Sequence, residues 1–429
     1  MIATEHATDP WIAAHAADLA PSGSVLVHAP SFAFQAPGGG ENQLAQTCKQ
    51  LHKLGVPIRP FSPWRDRIED ARLIHLYGMS REGLELARVA TARRVPVVLS
   101  PICWFAPRAL VALAPSRSRG VLDVAKWAAR RALPRLPGWR RELLQLADAI
   151  LPNSRAEAGQ LSRLFGADGR KIQVVPNGVD PRFAAASPDL FGERFGPREF
   201  VLYVGRIEPR KNVLGLIQAA RLAGLPLVAM GAVVPGHEAY GAACREVGGD
   251  GVTWIERVDH ADPLLASAMA AARVFALPSW FETPGLAALE AAVAGCAIVI
   301  TPYGCTREYF GDRAEYARPG NVREIAIALA RAWGGPGRVR PVAPDVRPYL
   351  FSPEGASPGV GDAPSGLRDS WSPESRGSRP ELYSSAPSGL DGDVCPAAPG
   401  NDLSQHILER YSWSIVARET REAYDRVAA

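Results

Sequence analysis

Residues 200–231 read FVLYVGRIEPRKNVLGLIQAARLAGLPLVAMG. Two short apolar runs, FVLYVGR and PLVAMG, stand at its ends, and VLGLIQAARLAG between them has helical character. The runs are continuously apolar rather than alternating, which suits strands covered on both faces. Strand, helix and strand within about thirty residues form the unit from which parallel sheets are built.

The unit repeats in both directions along the chain. Before it come SVLVHAP (24–30), RLIHLYG (72–78), VPVVLSP (95–101), AILPNS (149–154) and IQVVPN (172–177). After it come VTWIER (252–257), VFALPS (274–279) and AIVITP (297–302). Helical stretches separate the runs, so the expected class is α/β, with two Rossmann-like, doubly wound parallel-sheet domains facing an interdomain cleft. The join falls in NGVDPRFAAASPDLFGERFGP (177–197), which opens on an Asn-Gly turn and carries three Pro residues. The expected units are 1–185 and 186–333.

Composition agrees with a protein of this size and kind. The 429 residues are 47% hydrophobic and 21% charged, with a formal net charge of +4 and a pI near 8.8. Two domains are the natural expectation. Cations barely outnumber anions, so no global field for nucleic acid is indicated. The six cysteines show no CxxC-type pairing and read as reduced thiols. The first twenty residues lack a basic segment leading into an apolar core, and no run reaches membrane-spanning length, so a cytoplasmic protein is expected. From 334 to 402 the chain is dense in Pro, Gly and Ser without period, which predicts a disordered insertion. Helical spacing resumes at 403–429, through Ile407, Leu408, Tyr411, Ile415, Val416, Tyr424 and Val427.

In open parallel sheets ligands bind beyond the carboxyl ends of the strands. After FVLYV come Gly205 and Arg206, then Lys211 and Asn212 just before a helix. Two cations beside a helix N-terminus suit a diphosphate, or are solvated loop charges; the Walker spacing is absent. PSWFETPGLAALEAAVAGC (278–296) keeps only two charged residues, Glu282 and Glu290, in a nearly apolar run. Thr283 is expected as N-cap with Pro284 at the first helical position. That leaves Glu282 in a loop at the mouth of the cleft and Glu290 as the one ionisable group of a buried helix. A buried carboxylate needs satisfying. For Glu290 the alternatives are vicinal ligand hydroxyls, such as those of a ribose, or an internal salt bridge or cap. On the N-terminal side Gly38, Gly39 and Gly40 follow a strand and precede a helix, where glycine permits close backbone approach to a ligand.

Taken together, YVGRIEPRKN, PNGVD (176–180), FETPGLAALEAAVAGC, the GGGE turn and the terminal ILERYSW resemble glycosyltransferase family 4, retaining enzymes of GT-B fold, in order and spacing. The resemblance covers most of the chain outside the Pro/Gly/Ser-rich stretch. It implies that Arg206 and Lys211 hold the diphosphate of a nucleotide-sugar donor and that Glu282 touches the donor sugar. It implies further that Gly205, Thr283, Pro284, Gly285 and Leu286 line the donor site, with Glu290 on the ribose hydroxyls and Gly38 and Gly39 facing the same cleft. The 403–429 helix would brace the N-terminal domain. Cofactor and metal are implied to be absent, and the acceptor to be a glycan or lipid-linked molecule in cell-surface polysaccharide assembly.

One departure stands out. Many members carry a His after the strand corresponding to VPVVLSP, where this chain has Ile102, Cys103 and Trp104. His75 lies in the preceding strand and reads as a packed residue, while Trp104 and Phe105 read as a sugar-stacking wall or as core. The segment 107–143 is strongly basic and carries Trp127 and Trp139, which suits peripheral contact with an anionic membrane or a solvated helix face. A nucleotide-sugar epimerase and a non-catalytic nucleotide-sugar scaffold are the alternatives to a transferase.

Overall fold

The computed structural model describes residues 10–15, 23–31, 33, 38–196, 199–334 and 400–428. In its first half, β1 (Val25–His28), β2 (Ile58–Pro60), β3 (Leu73–Tyr77), β4 (Val97–Ser100) and β5 (Ala149–Ile150) form a sheet of order β2-β1-β3-β4-β5. In its second half, β6 (Val201–Val204), β7 (Leu227–Met230), β8 (Val252–Ile255), β9 (Val274–Leu277), β10 (Ala297–Ile300) and β11 (Glu315–Tyr316) take the order β11-β10-β9-β6-β7-β8. Every strand pairing among the described residues is parallel. Each sheet therefore winds outward from a central first strand and then returns to its other side. The reversals lie between β1 and β3 and between β6 and β9, and these are the crevices where ligands bind.

The strands are buried because they are apolar on both faces. All side chains of β3, β4, β7 and β9 are buried. Each fully buried Leu, Ile or Val contributes about 1.5–3 kcal/mol relative to exposure. The expected strand 172–177 does not form: Gln173 and Val175 donate to Ile150 and Pro152 along one edge only, and Ile172 makes a lone bridge. β2 (Ile-Arg-Pro) and β11 (Glu-Tyr), at the sheet edges, do not lie in continuous apolar runs and so give no signal.

The end of the chain also corrects the expectation. Residues 403–429 are not one helix on the first domain. A helix Gly400–Arg410 puts Leu403 and Ile407 into the second core, and a helix Trp413–Val427 puts Trp413, Val416, Ala417 and Tyr424 into the first. The break falls where Ser412, with extended backbone, pairs with Val179, whose amide donates to Tyr411 O at 2.6 Å. A side chain on Gly178 would come within 2.6 Å of the Trp413 ring, so the two crossings between the halves run side by side. Val179 and Phe183, numbered with the first unit, are buried in the second core. The expected insertion at 334–402 lies, apart from its ends, outside the described residues.

Candidate active site

The loop after β6 starts at Gly205 (φ +155°) and is pressed onto the loop after β7: a Cβ on Gly231 (φ +154°) would lie 1.9 Å from Gly205 O. Tyr203 donates to Arg206 O at 2.7 Å, which fixes the turn. The Arg206 side chain projects away, 3.3 Å from Glu208, and its Nη1 lies 3.6 Å from the position of a Cβ on Gly38 in the opposite half. Asn212, in the left-handed region at φ +56°, donates to Pro278 O and Pro319 O at 3.1 and 2.9 Å. It ties this loop to the one after β9 and starts the helix Val213–Ala223.

Glu282 is not a solvated loop residue. Its Oε1 lies 2.5 Å from Lys211 Nζ and 3.9 Å from Arg210 Nη1, with the Lys211 and Glu282 side chains 14% and 6% exposed. Burial alone would raise the Glu282 carboxyl, but Lys211 and Arg210 hold it below its ordinary value. Burial works the other way on the Lys211 ammonium, lowering it against the pull of Glu282. The backbone here is equally constrained, since a Cβ on Gly304 would lie 1.8 Å from Glu282 O. Thr283 and Pro284 do not open the following helix. Gly285, at φ +93°, turns the chain so that the helix runs Leu286–Val293 with Gly285 as N-cap.

Across the cleft, Gly38 and Gly39 begin the helix Gly39–Lys53. The Gly38 amide donates to Glu41 at 2.7 Å, and a Cβ on Gly39 would sit 3.7 Å from Leu286 Cδ1. Two helix N-termini from opposite halves thus face one gap beside Arg206. The first amides of a helix have no intrahelical acceptors and carry its positive pole, so this gap favours an anion.

Glu290 is buried, and its partner was not among the sequence candidates. His260, in the loop after β8, meets Glu290 Oε1 at 2.6 Å through Nε2. The same nitrogen lies 3.4 Å from Asn42 Nδ2 on the helix Gly39–Lys53. Arg182 donates to His260 O, and the Phe183 ring packs edge-on to the imidazole at 5.9 Å. An internal partner for Glu290 is therefore present within the second half, and through Asn42 its contacts reach across the cleft. The rule of looking past the carboxyl end of each strand, extended to β8, leads to His260.

His75 is buried as a packed residue. Its nitrogens meet Tyr424 Oη at 2.6 Å and Ser100 Oγ at 2.9 Å, and burial lowers it to about 3. In place of the expected family His, the loop after β4 is organised by Glu157. This carboxylate accepts from the amides of Cys103 at 2.6 Å and Asn153 at 2.8 Å, and burial raises it to about 7. Phe105 is half-buried and packs against Phe165 at the edge of the first-half core. The second half meets this region directly: Arg108 reaches Tyr303 Oη at 2.6 Å, and Glu308 accepts from the amides of Arg155 and Ala156. Among the described residues no cluster of three metal-ligating side chains occurs.

Two parallel-sheet halves, each with its reversal turned toward a shared cleft, define a protein of GT-B architecture. Solved structures share it. Sucrose-phosphate synthase from Thermosynechococcus elongatus superposes with a TM-score of 0.64 at 15% identity, covering 95% of this chain and 99% of that one. Anabaena HepE in complex with UDP-glucose gives 0.60 at 14% identity, covering 94% and 99%. The family model for glycosyl transferases group 1 matches residues 198–334, and that for glycosyltransferase family 4 matches residues 69–183. The chain belongs to the group 1/family 4 glycosyltransferases. A D-inositol 3-phosphate glycosyltransferase of Kribbella flavida is 34% identical over 216 residues, which is 46% of this chain and 50% of that protein. The match thus spans about half the length of that curated relative.

Proposed function

We propose that the protein transfers a sugar, with retention of anomeric configuration, from a nucleotide diphosphate donor to a hydroxyl of a glycan or lipid-linked acceptor in cell-surface polysaccharide assembly. The observation that carries this reading is the convergence of Arg206, Lys211 and two helix N-termini at the reversal between β6 and β9, with Glu290 buried one turn into the helix Leu286–Val293. Arg206 and Lys211 hold the diphosphate and offset the charge that develops on it as the sugar leaves. Glu290 accepts from the ribose hydroxyls, and Glu282, locked by Lys211, sets the sugar end. The bond from the anomeric carbon to phosphate breaks, and the bond to the acceptor oxygen forms on the same face. The acceptor proton passes to the departing phosphate oxygen. Positioning and electrostatics do most of this chemistry, and the cations and helix poles neutralise the diphosphate without a metal ion.

The test is a thermal-shift screen against UDP, GDP, ADP, CDP and dTDP, followed by nucleotide release with and without candidate acceptors. A nucleotide at a hundred times its dissociation constant adds about 2.7 kcal/mol. The expected result is a shift with one nucleotide, lost in Glu290→Ala, and acceptor-dependent release of that nucleotide. Release of free nucleotide unaffected by acceptor would point to the epimerase, and no shift with any nucleotide would favour the scaffold.

A further inference from the structure

The basic segment folds as three helices, Pro107–Ala112, Arg117–Ala132 and Trp139–Leu146. The middle one is inverted relative to an ordinary surface helix. Its inward stripe is Gly120, Asp123, Val124, Trp127 and Arg130, of which only Gly120 is fully buried, against Ala114 and Val111. With 3.6 residues per turn, its solvent side is Ser118 followed by Val121, Leu122, Ala125, Ala128, Ala129 and Ala132, all exposed. Val121 is 70% exposed and Leu122 48%. Arg117 flanks this stripe on one side, with the exposed Arg131 lying over the Trp127 ring beyond it, and Arg119 and Lys126, both paired with Asp123, flank it on the other. Leu133 and Leu136, in the turn that follows, and Val111 before it extend the exposed apolar surface. Of the ten large hydrophobic residues exposed among the described residues, five lie within 111–136. Such clustering marks an interaction surface rather than scattered exposure.

Charge selects the partner. From 107 to 143 there are nine Lys and Arg residues against Asp123 and Glu142. An apolar stripe edged on both sides by cations is the pattern of a helix lying in the plane of an anionic lipid surface. The position fits as well. The layer begins at the cleft rim, where Arg108 touches Tyr303 of the second half. We infer that the Arg117–Ala132 helix docks the protein on an anionic membrane, with Val121 and Leu122 inserted among the headgroups and the cleft opening beside them. This deepens the proposed transfer by assigning it a membrane-borne, lipid-linked acceptor, and it rests on that reading for the acceptor but not for the surface.

The experiment is co-sedimentation of the full chain with mixed phosphatidylglycerol/phosphatidylcholine vesicles and with pure phosphatidylcholine vesicles. Two variants, Val121→Ser with Leu122→Ser and Lys126→Glu with Arg131→Glu, lie outside the cleft, and each is checked for an unchanged nucleotide thermal shift. Binding to the anionic vesicles that weakens with salt is expected, falling about fivefold for each cation removed. The serine variant should lose binding without losing charge. Equal sedimentation with both vesicle types, or with neither, would overturn the inference. So would a concentration-dependent dimer that the serine variant abolishes, because the stripe would then be an interface between copies. Vesicle binding without any nucleotide shift would instead sink the transfer reading and leave the surface assignment standing.

Discussion

Replacing Lys211 with Met would keep the aliphatic stem and remove the charge that sits 2.5 Å from Glu282. The carboxylate would remain buried, its nearest remaining cation Arg210 at 3.9 Å, already engaged with Glu208 at 3.0 Å. Breaking one side of a buried pair costs about 3–5 kcal/mol, and the residual help from Arg210 puts the expected loss near 3. Pairing Lys211→Met with Glu282→Gln removes both charges, so the double variant should be more stable than the sum of the single losses predicts, by about 2 kcal/mol. The pH dependence has a fixed sign. In the wild type the Glu282 carboxyl is held below its ordinary 4.5, so its stabilisation is present above that value and is lost as pH falls through the lower folded value. Without Lys211 the carboxyl rises, and acid relieves the variant's deficit by protonating it. Urea denaturation of wild type, both singles and the double, near neutrality and in mild acid, measures all of this. A coupling under about 0.5 kcal/mol, with a deficit unchanged by pH, would mean that the pair behaves as a screened surface contact and that the argument from burial is wrong.

Three further outcomes are expected. His260→Ala should raise KM for the donor about tenfold, the worth of one hydrogen bond to a charged group, while kcat stays within about twofold, and His260→Gln should recover part of the loss; an equal fall in kcat would refute a role in positioning Glu290. Glu157, raised from 4.5 to about 7 by burial, binds its proton more tightly folded than unfolded, so it makes stability fall as pH rises across that window. Glu157→Gln should flatten the slope in thermal melts taken from pH about 4.5 to 7. Gly304→Ala, with φ +109° and a backbone oxygen 1.8 Å from the new methyl group, should cost more than about 3 kcal/mol by denaturant titration and weaken nucleotide binding with it.

The architecture was legible because parallel strands buried on both faces leave continuous apolar runs, and nine of the eleven strands came from such runs. β2 is Ile-Arg-Pro and β11 is Glu-Tyr, so neither leaves an apolar run, and 172–177 has the composition of a strand but meets β5 through a lone bridge only. Arg206, Lys211, Glu282 and Glu290 stand out in the sequence as charges in otherwise apolar or turn-rich stretches, the first three in loops past a strand and Glu290 inside a helix. What those charges touch was not readable. The Lys211–Glu282 pair joins residues 71 apart, and His260 reaches Glu290 and Asn42 over separations of 30 and 218. Nothing local in the sequence records such contacts. Gly285 shows the same limit at short range: Thr-Pro before a helix suits a cap and a first turn, yet the left-handed glycine moves the helix start two residues on.

The side-by-side crossings at Val179 and Ser412 give the chain a two-stranded hinge. A single linker would leave one half free to twist and swing in any direction, whereas two crossing segments joined by a backbone bridge, with Gly178 flush against the Trp413 ring, should restrict such motion. Each closure should therefore return Gly38 to Arg206 and Asn42 to His260 in the same register. The entropy of finding that register is met once, when the chain folds, rather than at every turnover.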